Sequence, residues 1–207
     1  MSIAENPLLG PMRKSMGNFT MYSYHGMNIV RMKAFKVKDA KSKKQLVMRA
    51  RMTGIAEMYR FFRSVIGLGF PDKSDGKSPQ NLFVAANILT AFEMADNMPV
   101  ISYPLMFLAK GSLPVVQVTD AFTDAEGITV RYDAKALGAY VQATDEIIAC
   151  ALLKGSQLLI VRQVLGYQST GTILLKYPDL QAGEVVCCYV FVRTGKACSD
   201  SVYVEVT

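Results

Sequence analysis

"EVVCCYVFV" (184–192) decides how this chain folds. Strand side chains point alternately to opposite faces, so the run sets two rows. Val186, Cys188, Val190 and Val192 form one row; Val185, Cys187, Tyr189 and Phe191 form the other. A strand with one solvated face would carry polar residues in one row. Neither row is polar here, so the strand needs cover on both sides. "EIIACALL" (146–153) and "QLLIVRQV" (157–164) show the same apolar excess.

Outward from this run, the period stays near two. Strands are predicted at 101–109, 114–119, 127–133, 146–153, 157–164, 171–176, 184–193 and 200–206. Turn signals such as "KGS" (154–156) and "RTGK" (193–196) separate several of them. Seven short strands from residue 114 onward point to an immunoglobulin-like or fibronectin-like β-sandwich.

The first half reads differently. "FTMYSYHGMNIVRMKAF" (19–35) has the pattern of a β-hairpin, with His25 and Gly26 at its turn. Ser42 and Gln45 have capping-box spacing, so a helix is expected to start near residue 43 and end before "GLGFP" (67–71). Val47, Ile55, Met58, Phe62, Val65 and Ile66 share one face of it. Arg49, Thr53, Glu57, Arg60 and Ser64 share the other. Arg51 projects into the apolar face, where its stem would lie along the core and its head reach water or a carboxylate. Gly54 costs about 1 kcal/mol relative to Ala in mid-helix, which the close approach of another backbone would explain. "SPQNLFVAANILTAFEMA" (78–95) reads as a second, largely buried helix, with Ser78 as N-cap and Pro79 at the first position. The expected fold class is therefore α+β. A basic hairpin-plus-helices region (1–110) precedes a β-sandwich (111–207), with the break near Lys110 to Leu113.

At 207 residues, 51% hydrophobic and 19% charged, the composition is globular. A chain of this size needs no disulfide or metal to fold. The apolar runs fall short of the roughly 20 residues a membrane span requires. The N-terminus has no apolar signal region, so a cytoplasmic or virion location is expected. Cys150, Cys187, Cys188 and Cys198 fit no zinc spacing and read as free, hydrophobe-like thiols. His25 is the only histidine and stands at a hairpin tip. "DAFTDAEG" (120–127) lacks calcium-loop spacing and reads as an inter-strand turn. "GLGF" and "GPMRKS" are not phosphate loops. No catalytic residue, cofactor or metal is expected.

The net charge of +6 is unevenly spread. Residues 1–66 carry 13 Lys and Arg against three acids; the remainder is net acidic. Lys36, Lys38, Lys41, Lys43, Lys44 and Arg49 concentrate the positive charge. Cations at a helix N-terminus oppose its dipole, so solvent, phosphates or an acidic neighbour must compensate. Two partners fit this stretch: nucleic acid or another polyanion, and an acidic protein surface in a homo-oligomer.

Several landmarks occur in series: "GNFTMYSYHGMNIVRMKAFKV", "DAKSKKQLVMRARM" and "AKGSLP". In these the chain resembles the domain-of-unknown-function 6266 family of Bacteroidota. Gly26, Val30, Arg31, Lys41, Ser42, Gln45, Arg49, Gly111, Leu113 and Pro114 match the family pattern. Asp39-Ala40 departs from its usual Asn-Pro, and His25 from its usual Lys or Arg. The resemblance implies a C-terminal sandwich and a bacterial or phage origin, and assigns no activity.

The function expected from sequence is that of a non-enzymatic structural or interaction protein, a self-assembling subunit of a phage particle or bacterial assembly. Val185, Cys187, Tyr189 and Phe191 are its candidate interface, unless the chain's own helices cover them. Weak, sequence-independent nucleic-acid binding through residues 36–51 is the alternative.

Overall fold

The computed structural model describes residues 2–3, 14–33, 39, 41–71, 77–133, 144–165, 170–195 and 197–207. They form two compact units, Met1–Ser42 and Lys43–Thr207. The described chain is α+β, mostly sheet with two helices.

The first unit is one antiparallel sheet, in the order β1-β4-β3-β2. Its strands are β1 (Ser2–Ile3), β2 (Lys14–Met16), β3 (Phe19–Tyr24) and β4 (Met27–Met32). The expected hairpin is β3–β4, and β1 and β2 extend it. His25 and Gly26 both take positive φ, 48° and 78°, which a tight two-residue turn requires.

The second unit opens with α1 (Lys43–Gly69). Ser42 thus falls at the N-cap position and Gln45 at the third helical position, as their spacing predicts. Ile55, Met58, Phe62, Val65 and Ile66 are all buried, while Arg49, Thr53, Glu57, Arg60 and Ser64 are exposed. Helix α2 (Pro79–Asn87) is capped by Ser78, whose hydroxyl accepts from Asn81 N at 3.3 Å.

The second helix is shorter than its sequence suggests. Residues 92–95 belong to a hairpin, β5 (Phe92–Ala95) and β6 (Met98–Ile101). Asp96 and Asn97 form its turn at φ 50° and 63°, a backbone that Asn and Asp tolerate better than other non-glycine residues. Pro99 is accommodated because β6 pairs only with β5. Nor is 101–109 a strand. A 3-10 turn (Tyr103–Leu105) interrupts it, and Met106, Leu108 and Ala109 are buried in an irregular segment.

The remaining strands make two sheets. One has the order β11-β8-β7: β7 (Gln117–Asp124), β8 (Gly127–Asp133) and β11 (Thr170–Lys176). The other runs β10-β9-β12, with β13 and β14 both on the far side of β12. Its strands are β9 (Glu146–Leu153), β10 (Leu158–Val164), β12 (Val185–Thr194), β13 (Ala197–Cys198) and β14 (Val202–Val204). Ile128, Val130, Tyr132, Ile173 and Leu175 from the smaller sheet share a core with Ile147, Ala149, Cys188, Val190 and Val192 from the larger.

The opposite face of the larger sheet is also buried. Ile148, Cys150, Leu152, Cys187, Tyr189 and Phe191 form a second core with Ile55, Phe62, Ile66 and Phe83 of the helices. The rings of Phe62 and Tyr189 meet edge to face, 6.1 Å between centroids. Helices on one side and a sheet on the other explain why β9 and β12 are apolar in both rows. The same contacts move the boundary between units. It lies at Ser42/Lys43, not near Lys110–Leu113, because both helices share a core with the larger sheet.

Candidate functional site

The expected interface residues do not form an outer surface. Cys187, Tyr189 and Phe191 are at most 2% exposed, beneath the helices. Tyr189 Oη also donates to Tyr103 O at 2.7 Å. Val185 does not even share their face. The β9–β12 register shifts between Val185 and Cys187, so Val186 is an extra residue, a β-bulge. Val185 therefore packs toward the core between the sheets, and Val186 toward the helices. The alternative cover, the chain's own helices, is the one observed.

Of the basic residues, Lys36 and Lys38 lie outside the described residues. Lys41 belongs to the first unit; it is exposed, at φ 46°, and its N–H donates to Asp39 Oδ1 at 3.3 Å. Lys43, Lys44 and Arg49 stand exposed in the first two turns of α1, and the first turn contains no acid.

The core-facing column of α1 is continuous at helical spacing through Lys44, Met48, Arg51, Ile55, Met58, Phe62 and Ile66. Its burial is not. Ile55, Phe62 and Ile66 are wholly buried, Arg51 is half-buried, Met48 is 40% exposed and Lys44 is exposed. Beside the column Met52 is 46% exposed, and on the opposite side of the helix Leu46 is 45% exposed. The first twelve residues of α1, about 18 Å at 1.5 Å per residue, thus run beyond the fully buried core and present apolar side chains among cations.

Arg51 marks the transition. Its guanidinium carbon lies 5.8 Å from the centroid of the Phe92 ring, a cation–π contact. Its Nε is buried without a hydrogen-bond partner, which costs about 1–3 kcal/mol. The head is thus held by an aromatic face of the β5–β6 hairpin. The same hairpin explains Gly54. A Cβ there would lie 3.2 Å from Ile101 Cδ1 and 3.3 Å from Phe92 Cε1, so side chains approach the helix, not a backbone.

Two matched landmarks outside α1 have structural duties. Gly111 lies so close to the Cys198 carbonyl that a Cβ would overlap it, and Leu113 forms a parallel bridge with Ser199. In "DAFTDAEG", Asp124 is the turn's organiser. Its carboxylate accepts from Glu126 N at 2.9 Å, Gly127 N at 3.1 Å and Thr129 Oγ1 at 2.7 Å. Those bonds, the Thr129 hydroxyl foremost, hold its pKa below the usual carboxylate value. Among the described residues no three His, Cys, Asp or Glu side chains converge as metal ligands. No described helix is long and apolar enough to cross a membrane.

Compared with known protein families, with curated proteins and with solved structures, the chain matches none.

Proposed function

We propose that this chain is a non-enzymatic structural or interaction protein, a self-assembling subunit whose contact surface is the first half of α1. One observation carries the reading: the helix's core-facing column continues past its cover, leaving Met48 and, one turn along, Met52 exposed among Lys43, Lys44 and Arg49. Apolar side chains grouped at a helix end, ringed by charge, are the composition of an interface. The body behind it is an immunoglobulin/fibronectin-like sandwich. Counting from β7, with β13 and β14 together as the seventh, one sheet joins strands five, two and one; the other joins four, three, six and seven. That strand order supports a fibronectin-like reading, with the helices added to one face. The likeness to the 6266 family adds no activity to this reading.

Sedimentation velocity on untagged protein, across a wide concentration range and at two salt concentrations, tests the proposal. Concentration-dependent association is expected. A monomer throughout rejects self-assembly.

The absence of an acid from the first turn of α1, beside exposed Lys43, Lys44 and Arg49, favours a second reading: weak, sequence-independent polyanion binding. Each phosphate contact would steepen the salt dependence. Reversing Lys43 and Lys44 to Glu would then flatten the slope in a gel-retardation titration. No retardation of DNA or RNA by wild-type protein at low salt excludes it.

A further inference from the structure

A cleft of about 600 Å³ opens between the helices and the segments at 110–112 and 197–198. Its size falls within the range of small-molecule sites. Phe70, Pro71, Leu82, Ala85, Ala86 and Ala197 give it apolar walls. Small side chains on three of these positions leave the space open.

The frame around it is tied by hydrogen bonds. Asn87 clamps α2 to the backbone of Phe107, with Nδ2 donating to Phe107 O at 2.9 Å and Oδ1 accepting from Phe107 N at 2.7 Å. Cys198 Sγ donates to Gly69 O at 3.0 Å, joining the end of α1 to β13. Gly111 N donates to Asp200 Oδ1 at 3.0 Å, and Leu113 N to Cys198 O at 3.1 Å. A cleft held in this way exists before a ligand arrives, so binding loses little to ordering the protein.

Among the described lining residues the charge is of one sign. Lys110 is the only ionised side chain among the described lining residues. Its ammonium stands 5.1 Å from the Phe107 ring centroid and is exposed. That contact leaves N–H donors for an anion. The carboxylate of Asp200, in the frame, accepts the Gly111 N–H.

The geometry points to a binding site for an amphiphile with an apolar body and one carboxylate, the class of a medium-chain fatty acid. The apolar body lies along the α2 wall, and the carboxylate meets Lys110. This site is independent of the α1 surface and of any assembly through it.

Isothermal titration with decanoate tests the assignment, with decanol as the uncharged control. Wild-type protein is expected to bind decanoate saturably, one per chain, and at least tenfold more tightly than decanol. Lys110→Met keeps the stem and removes the charge, and should erase that preference. Ala85→Trp fills the cleft from an exposed helix position and should abolish binding of both. Thermal melting establishes that each variant is folded. The assignment is overturned by no saturable binding to wild type, by equal affinity for decanol and decanoate, or by unchanged binding in folded Ala85→Trp.

Discussion

The side chain of Asn87 pairs with the backbone of Phe107 as a strand would, one bond given and one received, at 2.9 and 2.7 Å. Its Nδ2 also donates to Phe83 O within α2. Asn87 is wholly buried and Phe107 half-buried, so water replaces these bonds poorly if the side chain is lost. Asn87→Leu keeps the bulk but strands the N–H and C=O of half-buried Phe107, a loss of about 1–3 kcal/mol. Urea unfolding should show the midpoint fall with the slope unchanged. A midpoint within error of wild type would show the clamp to be dispensable.

Two glycines should respond in opposite directions to the same substitution. At Gly111 a Cβ would overlap the Cys198 backbone carbonyl, which is fixed by the Leu113 N–H. Gly111→Ala should therefore lower the melting temperature by several degrees or prevent folding. At Gly67, exposed within α1, a Cβ meets nothing within 4 Å. Gly67→Ala should stabilise by about 0.4–1 kcal/mol, through helix propensity and a less disordered unfolded state. Paired thermal melts decide both.

The buried thiols tie stability to alkaline pH. Burial, with the neighbouring Cys188 second, pushes the Cys187 pKa up to about 12, and burial pushes Cys188 to about 12 as well. Cys150 is also raised, by burial first. The ordinary value is 9.0. The folded state thus holds these protons to higher pH than the unfolded state does. Stability is fully present below pH 9 and falls as pH rises from about 9 towards 12. At pH 8 a disulfide reagent should leave all four buried cysteines unmodified in native protein and titrate all four in denaturant. Rapid modification of Cys187 or Cys188 in the native state would contradict the burial.

Asp124 works at the other end of the scale. Its pKa is held down by bonds to the ionised form, so its contribution is present above the usual carboxylate pKa. It is lost as pH falls through the lowered folded value. Asp124→Ala should lower the melting temperature at pH 7 and have less effect in acid. An equal effect at pH 7 and in strong acid would show that the charge plays no part.

Much of the fold was legible because its signals are local. β8 and β9 fall at 127–133 and 146–153, the limits their apolar alternation and turns suggest. The buried face of α1 follows from helical spacing alone. The hairpin at Phe92–Ile101 was missed because "AFEMA" is compatible with helix; the signal was Asp96-Asn97, a pair that tolerates positive φ, followed by Pro99. The bulge at Val186 has no mark in an unbroken apolar run, and it inverted the assignment of Val185. What covers the outer row of β12 is a long-range matter. Phe62 meets Tyr189 across more than a hundred residues, and no local pattern encodes that contact. The candidate site moved for the same reason: the apolar surplus in β12 was satisfied within the chain, while Met48 and Met52 of α1 are among the apolar side chains left exposed.

Core and contact surface should separate under mutation. Phe191 is wholly buried between β12 and the helices, so Phe191→Ala leaves a cavity and should cost about 3–5 kcal/mol. Any loss of association in that variant would follow from unfolding. Met48 and Met52 are about half exposed on a helix held further along by Ile55, Phe62 and Ile66. Replacing both with Ser removes apolar surface that the core does not use. Folding stability should then change by less than about 1 kcal/mol. The concentration at which wild-type protein associates in sedimentation velocity should rise at least tenfold in the double variant. If the double variant associates as wild type does, the first half of α1 is not the contact surface. If it unfolds, those methionines belong to the core after all.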